Sequence, residues 1–74
     1  MTIADRVARY LTNEFGMVER NPKRRHRWFT GDRGRNYFVG RNGAVRSGTT
    51  LSGSVSLTPI IHARMSYWEA KNGL

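Results

Sequence analysis

The stretch YFVGRNGAVRSG, residues 37–48, has an Asn-Gly pair between two short apolar runs. This pattern is a strong local signal for a β-hairpin, because both residues tolerate the positive φ angles of a two-residue type I′ turn. A two-residue loop would place Val39 opposite Arg46. Since side chains alternate between the two faces of a strand, we expect Phe38 and Val45 on the core face. The residues expected on the opposite, outward face are Tyr37, Val39, Arg41 and Arg46.

A helix is predicted before the hairpin, over residues 2–15. Its apolar side chains recur about every four residues, which is the period of one helix face. Thr2 and Asp5 have the spacing of a capping box, and Gly16 is a natural stop for the helix.

A second helix is predicted near the end of the chain, over residues 58–73, with Thr58 as its N-cap and Pro59 at its first helical position. The two helices and the hairpin supply the predicted core: Val7, Leu11, Phe15, Phe38, Val45, Ile61, Met65 and Trp68.

The middle of the chain is rich in strand formers and turn residues. RWFT at 27–30 is typical of a strand, and MVER at 17–20 is either a short strand or the exit from the first helix. Residues 49–57 form either a further strand or an extended loop, with Leu51, Val55 and Leu57 expected to point inward. The order of helix, small antiparallel sheet and helix predicts a single α+β domain over residues 1–74.

The charge of the chain is the strongest indication of function. Thirteen Lys and Arg face five Asp and Glu, giving a formal net charge of +8 and a pI near 11.4. Eleven of the thirteen are arginines, whose planar forks pair with phosphate and with guanine. A small domain this basic favours nucleic acid as its partner, although some small proteins are basic only for solubility.

The cations form two groups, one in the loop at 20–27 and one around the hairpin. The first is either a phosphate-binding loop or a solvated loop, and the second is either a reading ribbon for the major groove or an ordinary sheet surface. Alternatively, Tyr37 and Trp28 form an aromatic platform for a single strand of nucleic acid, with arginines along its phosphates, or both are packing residues. The expected nucleic-acid contacts are Arg20, Lys23, Arg24, Arg25, Arg27, Arg33, Arg35, Arg41, Arg46 and Tyr37.

Catalysis, a metal and a cofactor are not expected. The chain has no cysteine, which excludes disulfides, cysteine zinc sites and thiol chemistry. His26 and His62 have no carboxylate placed by spacing to complete a metal site or an acid–base pair. The glycines of residues 31–43 match no phosphate-binding loop pattern.

The stretch YFVGRNGAVRSGTTLSGSVSLT, residues 37–58, resembles segments of small phage- and prophage-encoded accessory proteins. The resemblance covers about a third of the chain and carries no catalytic motif. It implies a short accessory protein that binds DNA, or that binds and inhibits a host protein such as a polymerase or a defence nuclease.

The sequence thus predicts a non-enzymatic nucleic-acid-binding protein of the bacterial cytoplasm, with DNA expected ahead of RNA. The alternative is a phage-type module that inhibits a host factor. No membrane segment is expected, because no run of about 18 apolar residues occurs. A homodimer that pairs Tyr37 and Val39 across an edge strand is compatible with the first interpretation.

Overall fold

The computed structural model describes residues 1–20, 25–31 and 34–74. The helices are α1 (Ile3–Phe15) and α2 (Thr58–Lys71). The strands are β1 (Val18–Glu19), β2 (Arg27–Thr30), β3 (Asn36–Val39), β4 (Val45–Gly48) and β5 (Val55–Ser56). They form one antiparallel sheet in the order β1-β2-β3-β4-β5, and both helices pack on the same side of it. The predicted α+β architecture is confirmed.

Helix α1 begins at the predicted capping box. The Thr2 hydroxyl accepts a hydrogen bond from the Asp5 backbone N–H (3.1 Å), and the Asp5 carboxylate accepts one from the Thr2 N–H (3.3 Å). Gly16 ends the helix with a φ of 62°. The prediction that Phe15 is a core residue is wrong, because 41% of its surface is exposed. The chain turns at Gly16, and Met17 fills the core beneath the helix instead.

Helix α2 begins one residue earlier than predicted. Thr58 is its first residue, and Leu57 takes the N-cap position. The Thr58 hydroxyl accepts a hydrogen bond from the Val45 backbone N–H at 2.9 Å, so it fixes the start of α2 to β4 rather than capping the helix. The predicted inward stripe does contact the core, with two side chains buried and the third half-buried: Ile61, Met65 and Trp68.

The hairpin forms, but its register differs by one residue from the prediction. Val39 pairs with Val45, whereas a two-residue loop would have paired Val39 with Arg46. A shift of one residue turns every side chain of a strand to the other face. The predicted distribution of hairpin side chains between core and surface therefore changes.

The geometry of the turn accounts for the shift. The Gly40 N–H donates to the Ala44 carbonyl, and the Gly43 N–H donates to the Gly40 carbonyl, both at 2.9 Å. Gly43 has a φ of 82°, while Asn42 keeps a negative φ. This is a type I turn followed by a left-handed glycine, which makes a three-residue loop, rather than the predicted type I′ turn.

The tip of the hairpin is held by both helices. A Cβ atom at Gly43 would lie 2.5 Å from Cγ1 of Ile3 in α1, so only glycine fits beneath that side chain. The Gly43 carbonyl accepts a hydrogen bond from Nε2 of His62 in α2 at 2.7 Å. The hairpin is thus a fixed part of the core and not a free ribbon.

The observed register places different side chains under the helices. Val39 and Val45 are fully buried there, and Tyr37 packs against the same core, so the predicted outward position of Tyr37 and Val39 is wrong. Phe38 and Arg46 form the next pair, on the other side of the sheet. Phe38 is buried as predicted, but it lies outside the helix-side core.

The edges of the sheet are the two-residue strands β1 and β5. Because β3 is central, Tyr37 and Val39 cannot pair with a second copy across an edge, as the expected homodimer required. The segment 49–57 contributes only β5 to the sheet. Val55, expected to point inward, is 63% exposed, Leu51 is partly buried, and Leu57 packs against the core as expected.

Candidate nucleic-acid interface

The side of the sheet away from the helices carries a cross-strand row of side chains. Strand pairing places Trp28 opposite Phe38, Phe38 opposite Arg46, and Arg46 opposite Ser56. Arg20 follows β1 and donates its backbone N–H to the Trp28 carbonyl at 2.8 Å, so it continues the row. We call this side of the sheet the open face, and its central row is Arg20, Trp28, Phe38, Arg46 and Ser56.

Two further residues border the open face. Arg25 and His26 line a hollow together with Phe38 and Leu51. Arg20, Arg25 and Arg46 are all exposed to solvent, and none of the three forms an ion pair with a described carboxylate. Among the described residues, these three arginines are therefore the cations that the open face offers to a ligand.

The described carboxylates lie on the other side of the molecule. Asp5 and Glu14 belong to α1, and Glu69 belongs to α2. Glu19 lies on the helix side of the sheet, since its partner in β2 is buried in the helix-side core. Asp32 lies outside the described residues. Within the part of the chain that the structure describes, the open face thus holds cations and no acid.

Arg27, an expected phosphate contact, is bound to two carboxylates. It pairs with Val39 and so lies on the helix side of the sheet. Its Nε and Nη2 donate to the two carboxylate oxygens of Glu19, each at 2.8 Å, and its Nη1 donates to Asp5 at 2.8 Å. Hydrogen bonds from Thr2 and then the Arg27 contact lower the pKa of Asp5. The Arg27 guanidinium therefore links α1, β1 and β2.

A second ion-pair cluster joins the two helices. Arg6 donates to the Glu69 carboxylate from Nε (2.9 Å) and Nη2 (2.5 Å), and Arg9 donates from Nη2 at 3.3 Å. Glu69 is buried, and the hydrogen bond from Arg6 is the main reason that its pKa is lowered. The two clusters together contain three arginines and three carboxylates, so their charges cancel. The net positive charge of the chain therefore lies outside them.

The remaining expected nucleic-acid contacts do not lie on one surface. Tyr37 and Arg35 lie on the helix side, where they line a hollow with Arg64. Arg41 is exposed in the hairpin turn. The sharing of one outward face by Tyr37, Arg41 and Arg46 is therefore not observed. Three expected contacts lie outside the described residues: Lys23, Arg24 and Arg33.

A contact that the sequence did not reveal fixes Arg46. Its Nε donates to the Ser54 hydroxyl at 2.8 Å and its Nη2 donates to the Ser54 carbonyl at 2.6 Å. Ser54 is buried, and its Cα would lie 2.8 Å from a Cβ at Gly48, so the segment before β5 packs closely on β4. Alternation along β4 predicts that Arg46 points outward, but no local sequence signal shows that the segment before β5 packs against it.

Asn36 is a second residue of the open face that the sequence analysis did not identify. Its side-chain oxygen accepts a hydrogen bond from Nε1 of Trp28 at 2.9 Å, and its amide donates to the Thr49 carbonyl at 3.1 Å. Asn36 thus connects β2 to the segment after β4 and helps to hold the indole ring in place. Alternation along β3 places Asn36 and Phe38 on the same side, which was the available signal.

Comparisons with protein-family models, with curated proteins and with solved structures found no match to this chain. Among the described residues, neither helix combines the length and the hydrophobicity needed to cross a membrane.

Proposed function

We propose that this protein binds nucleic acid and that the open face makes its phosphate contacts. The observation that carries the proposal is the separation of charge: a polyanion that approaches the open face meets Arg20, Arg25 and Arg46 and no described acid. Arginine forks bind phosphate bidentately, and each cation that replaces a condensed counterion adds to the affinity. The function proposed is binding without catalysis, in the cytoplasm of a bacterial host.

Phosphate contacts rather than base reading are expected to dominate the affinity. The hairpin tip is fixed between Ile3 and His62, which disfavours insertion of a free two-stranded ribbon into the major groove. A sheet surface can instead bind along the sugar-phosphate backbone of a nucleic-acid strand, as in many proteins that bind single-stranded DNA or RNA. The resemblance of residues 37–58 to phage accessory proteins favours DNA over RNA.

The test is a set of fluorescence-anisotropy titrations with a labelled random duplex, a single-stranded DNA and an RNA of equal length. Each titration is run at about 50 and about 200 mM salt, where a steep loss of affinity is the signature of phosphate contacts. We expect micromolar or tighter binding at the lower salt and a clear loss at the higher salt. No binding of any of the three probes at the lower salt would refute the proposal.

The alternative function is that of a protein-binding module that inhibits a host factor. The observation in its favour is a group of exposed aromatic side chains on the helix side, of which Tyr67 is 71% exposed. A basic inhibitor of this kind would bind an acidic protein surface rather than imitate DNA. This surface does not compete with the open face, since the two lie on opposite sides of the sheet.

A further inference from the structure

A groove runs between the end of α1 and the outer side of α2. Its volume is about 630 Å³, and its main lining residues are Tyr10, Glu14, Phe15, Arg64, Tyr67 and Trp68. A second, smaller hollow shares Phe15 and Arg64 with it and continues towards Tyr37 and Arg35. We call the larger hollow the α1–α2 groove.

The floor of the groove is an aromatic cluster. Tyr10 is buried, and its ring lies edge-on to Phe15 (centroids 5.4 Å apart) and to Trp68 (5.6 Å). Such edge-to-face pairs are favourable. Phe15 and Tyr67 remain 41% and 71% exposed, so the cluster presents apolar surface to solvent.

Helix α2 differs from an ordinary surface helix. Ile61 and Met65 fill the core, and the opposite side of such a helix is normally polar. Here the outer side also carries apolar residues, since Ile60 is 54% exposed and Tyr67 is more exposed still. The spacing of Ile60, Arg64, Tyr67 and Lys71 places all four on one stripe. This stripe has no partner in the described chain.

The charges at the groove indicate what covers it. Arg64 and Lys71 line the groove, Arg35 lines the adjoining hollow, and Glu14 is the one carboxylate among the described lining residues of both. We propose that the α1–α2 groove binds an acidic amphipathic helix of another protein, with its apolar side on Phe15 and Tyr67. Amphipathic helices dock in this way, through apolar anchors at helical spacing.

Charge disfavours a second copy of this chain as the occupant of the groove. Each copy carries a formal charge of +8, so two grooves lined by Arg64 and Lys71 would repel each other. The acidic helix must therefore come from a different protein. This proposal is independent of nucleic-acid binding, because it uses residues on the other side of the sheet.

The test uses a synthetic acidic peptide with Leu and Phe at helical spacing on one side and Glu and Asp on the other. The control ligands are a scrambled peptide of the same composition and poly-glutamate. Binding is followed by amide chemical shifts of the labelled protein. We expect micromolar binding of the amphipathic peptide, with the largest shifts around Phe15, Arg64 and Tyr67. Both control ligands should bind at least about tenfold more weakly, because they lack an ordered apolar side.

Variants distinguish binding of the peptide in the groove from nonspecific attraction between the basic protein and an anionic peptide. The single variant Tyr67→Ala and the double variant Arg64→Gln with Lys71→Gln should each lower the affinity for the amphipathic peptide by about tenfold or more. The double variant Arg20→Gln with Arg25→Gln should leave that affinity unchanged. Tyr67 is exposed, so its loss is not expected to unfold the chain, and a melting curve of each variant checks this. Equal binding of the scrambled peptide, or shifts confined to the open face, would overturn the proposal. Self-association lost on Tyr67→Ala, or displacement of the peptide by single-stranded DNA, would also overturn it.

Discussion

The arginines of the two ion-pair clusters differ from the arginines of the open face in whether a carboxylate binds them. On the helix side, Arg6, Arg9 and Arg27 are held by carboxylates from distant parts of the chain. On the open face, Arg20 and Arg25 have no carboxylate partner in the described chain. Paired arginines join elements of the fold, whereas unpaired ones keep their charge for an external anion. Pairing with a carboxylate therefore distinguishes the arginines that hold the fold together from those whose charge faces solvent.

The contrast between the sides also applies to packing. Adjacent residues of β2 point to opposite sides, and Phe29 is fully buried beneath the helices while Trp28 lies on the open face. We expect Phe29→Ala to lower the free energy of unfolding by about 3–5 kcal/mol and to leave so small a domain largely unfolded. Trp28→Ala should cost less than half as much. Urea unfolding followed by circular dichroism measures both, and equal losses would contradict the assignment of the two sides.

The hairpin tip fixes the register of β3 against β4, which places Val39 beside Val45 under the helices. Gly43→Ala would strain a φ of 82° and bring a Cβ within 2.5 Å of Ile3, so we expect a loss of about 2–4 kcal/mol. Gly16→Ala is the matched control, since Gly16 has a φ of 62° and open space around its Cα. It should cost about 1–2 kcal/mol. Equal effects in thermal unfolding would show that the tip is not held by α1.

Acid should weaken the helix side and leave the open face charged. The pKa of Glu69 is lowered from its ordinary value of 4.5, mainly by the hydrogen bond from Arg6. A lowered pKa means that the stabilisation is present above that ordinary value and is lost as the pH falls through the folded-state pKa. Stability should therefore fall below about pH 4.5.

Glu69→Gln isolates this effect. It should cost about 1.5–3 kcal/mol at neutral pH, because it removes charged hydrogen bonds to Arg6 and Arg9. Its stability should also change less between pH 7 and pH 3 than that of the parent chain. A Glu69→Gln curve parallel to the parent curve would show that other groups dominate the acid response.

The smallest effect is expected at Arg46. Arg46→Lys keeps the charge but loses the fork that bonds to Ser54 through two nitrogens, so we expect a loss of about 1 kcal/mol. The salt dependence of nucleic-acid binding should stay within error, because the number of cations is unchanged. A large loss of affinity in Arg46→Lys without a change in salt dependence would indicate bidentate recognition rather than charge alone.

Local chemistry made the helices and the existence of the hairpin predictable. Thr2, Asp5 and Gly16 form a cap and a stop within the helix itself, so no distant contact was needed. The register of the hairpin was not predictable in the same way. An Asn-Gly pair permits both a two-residue and a three-residue loop, and contacts of Gly43 with Ile3 and His62 accompany the second.

The candidate site was predictable in its charge and only partly in its geometry. The sequence showed an excess of arginine, but it could not show which arginines are neutralised. Arg6 and Glu69 are 63 positions apart, and Arg27 and Asp5 are 22 apart, so only the folded chain brings them together. The predicted register was wrong by one residue and placed Tyr37 with Arg46 on the outward face, whereas the observed register places Tyr37 against the helix-side core.

The central claim is that the open face carries the nucleic-acid contacts. Two double variants remove the same charge from opposite sides of the sheet. The open-face pair is Arg20→Gln with Arg25→Gln, and the helix-side pair is Arg64→Gln with Lys71→Gln. The most direct measurement compares the salt dependence of DNA binding by these two double variants. We expect the open-face pair to make the slope of log K against log salt shallower by about two on duplex DNA, and the helix-side pair to leave it near that of the parent. Equal slopes for the two double variants would contradict the claim, since binding would then follow net charge and not position.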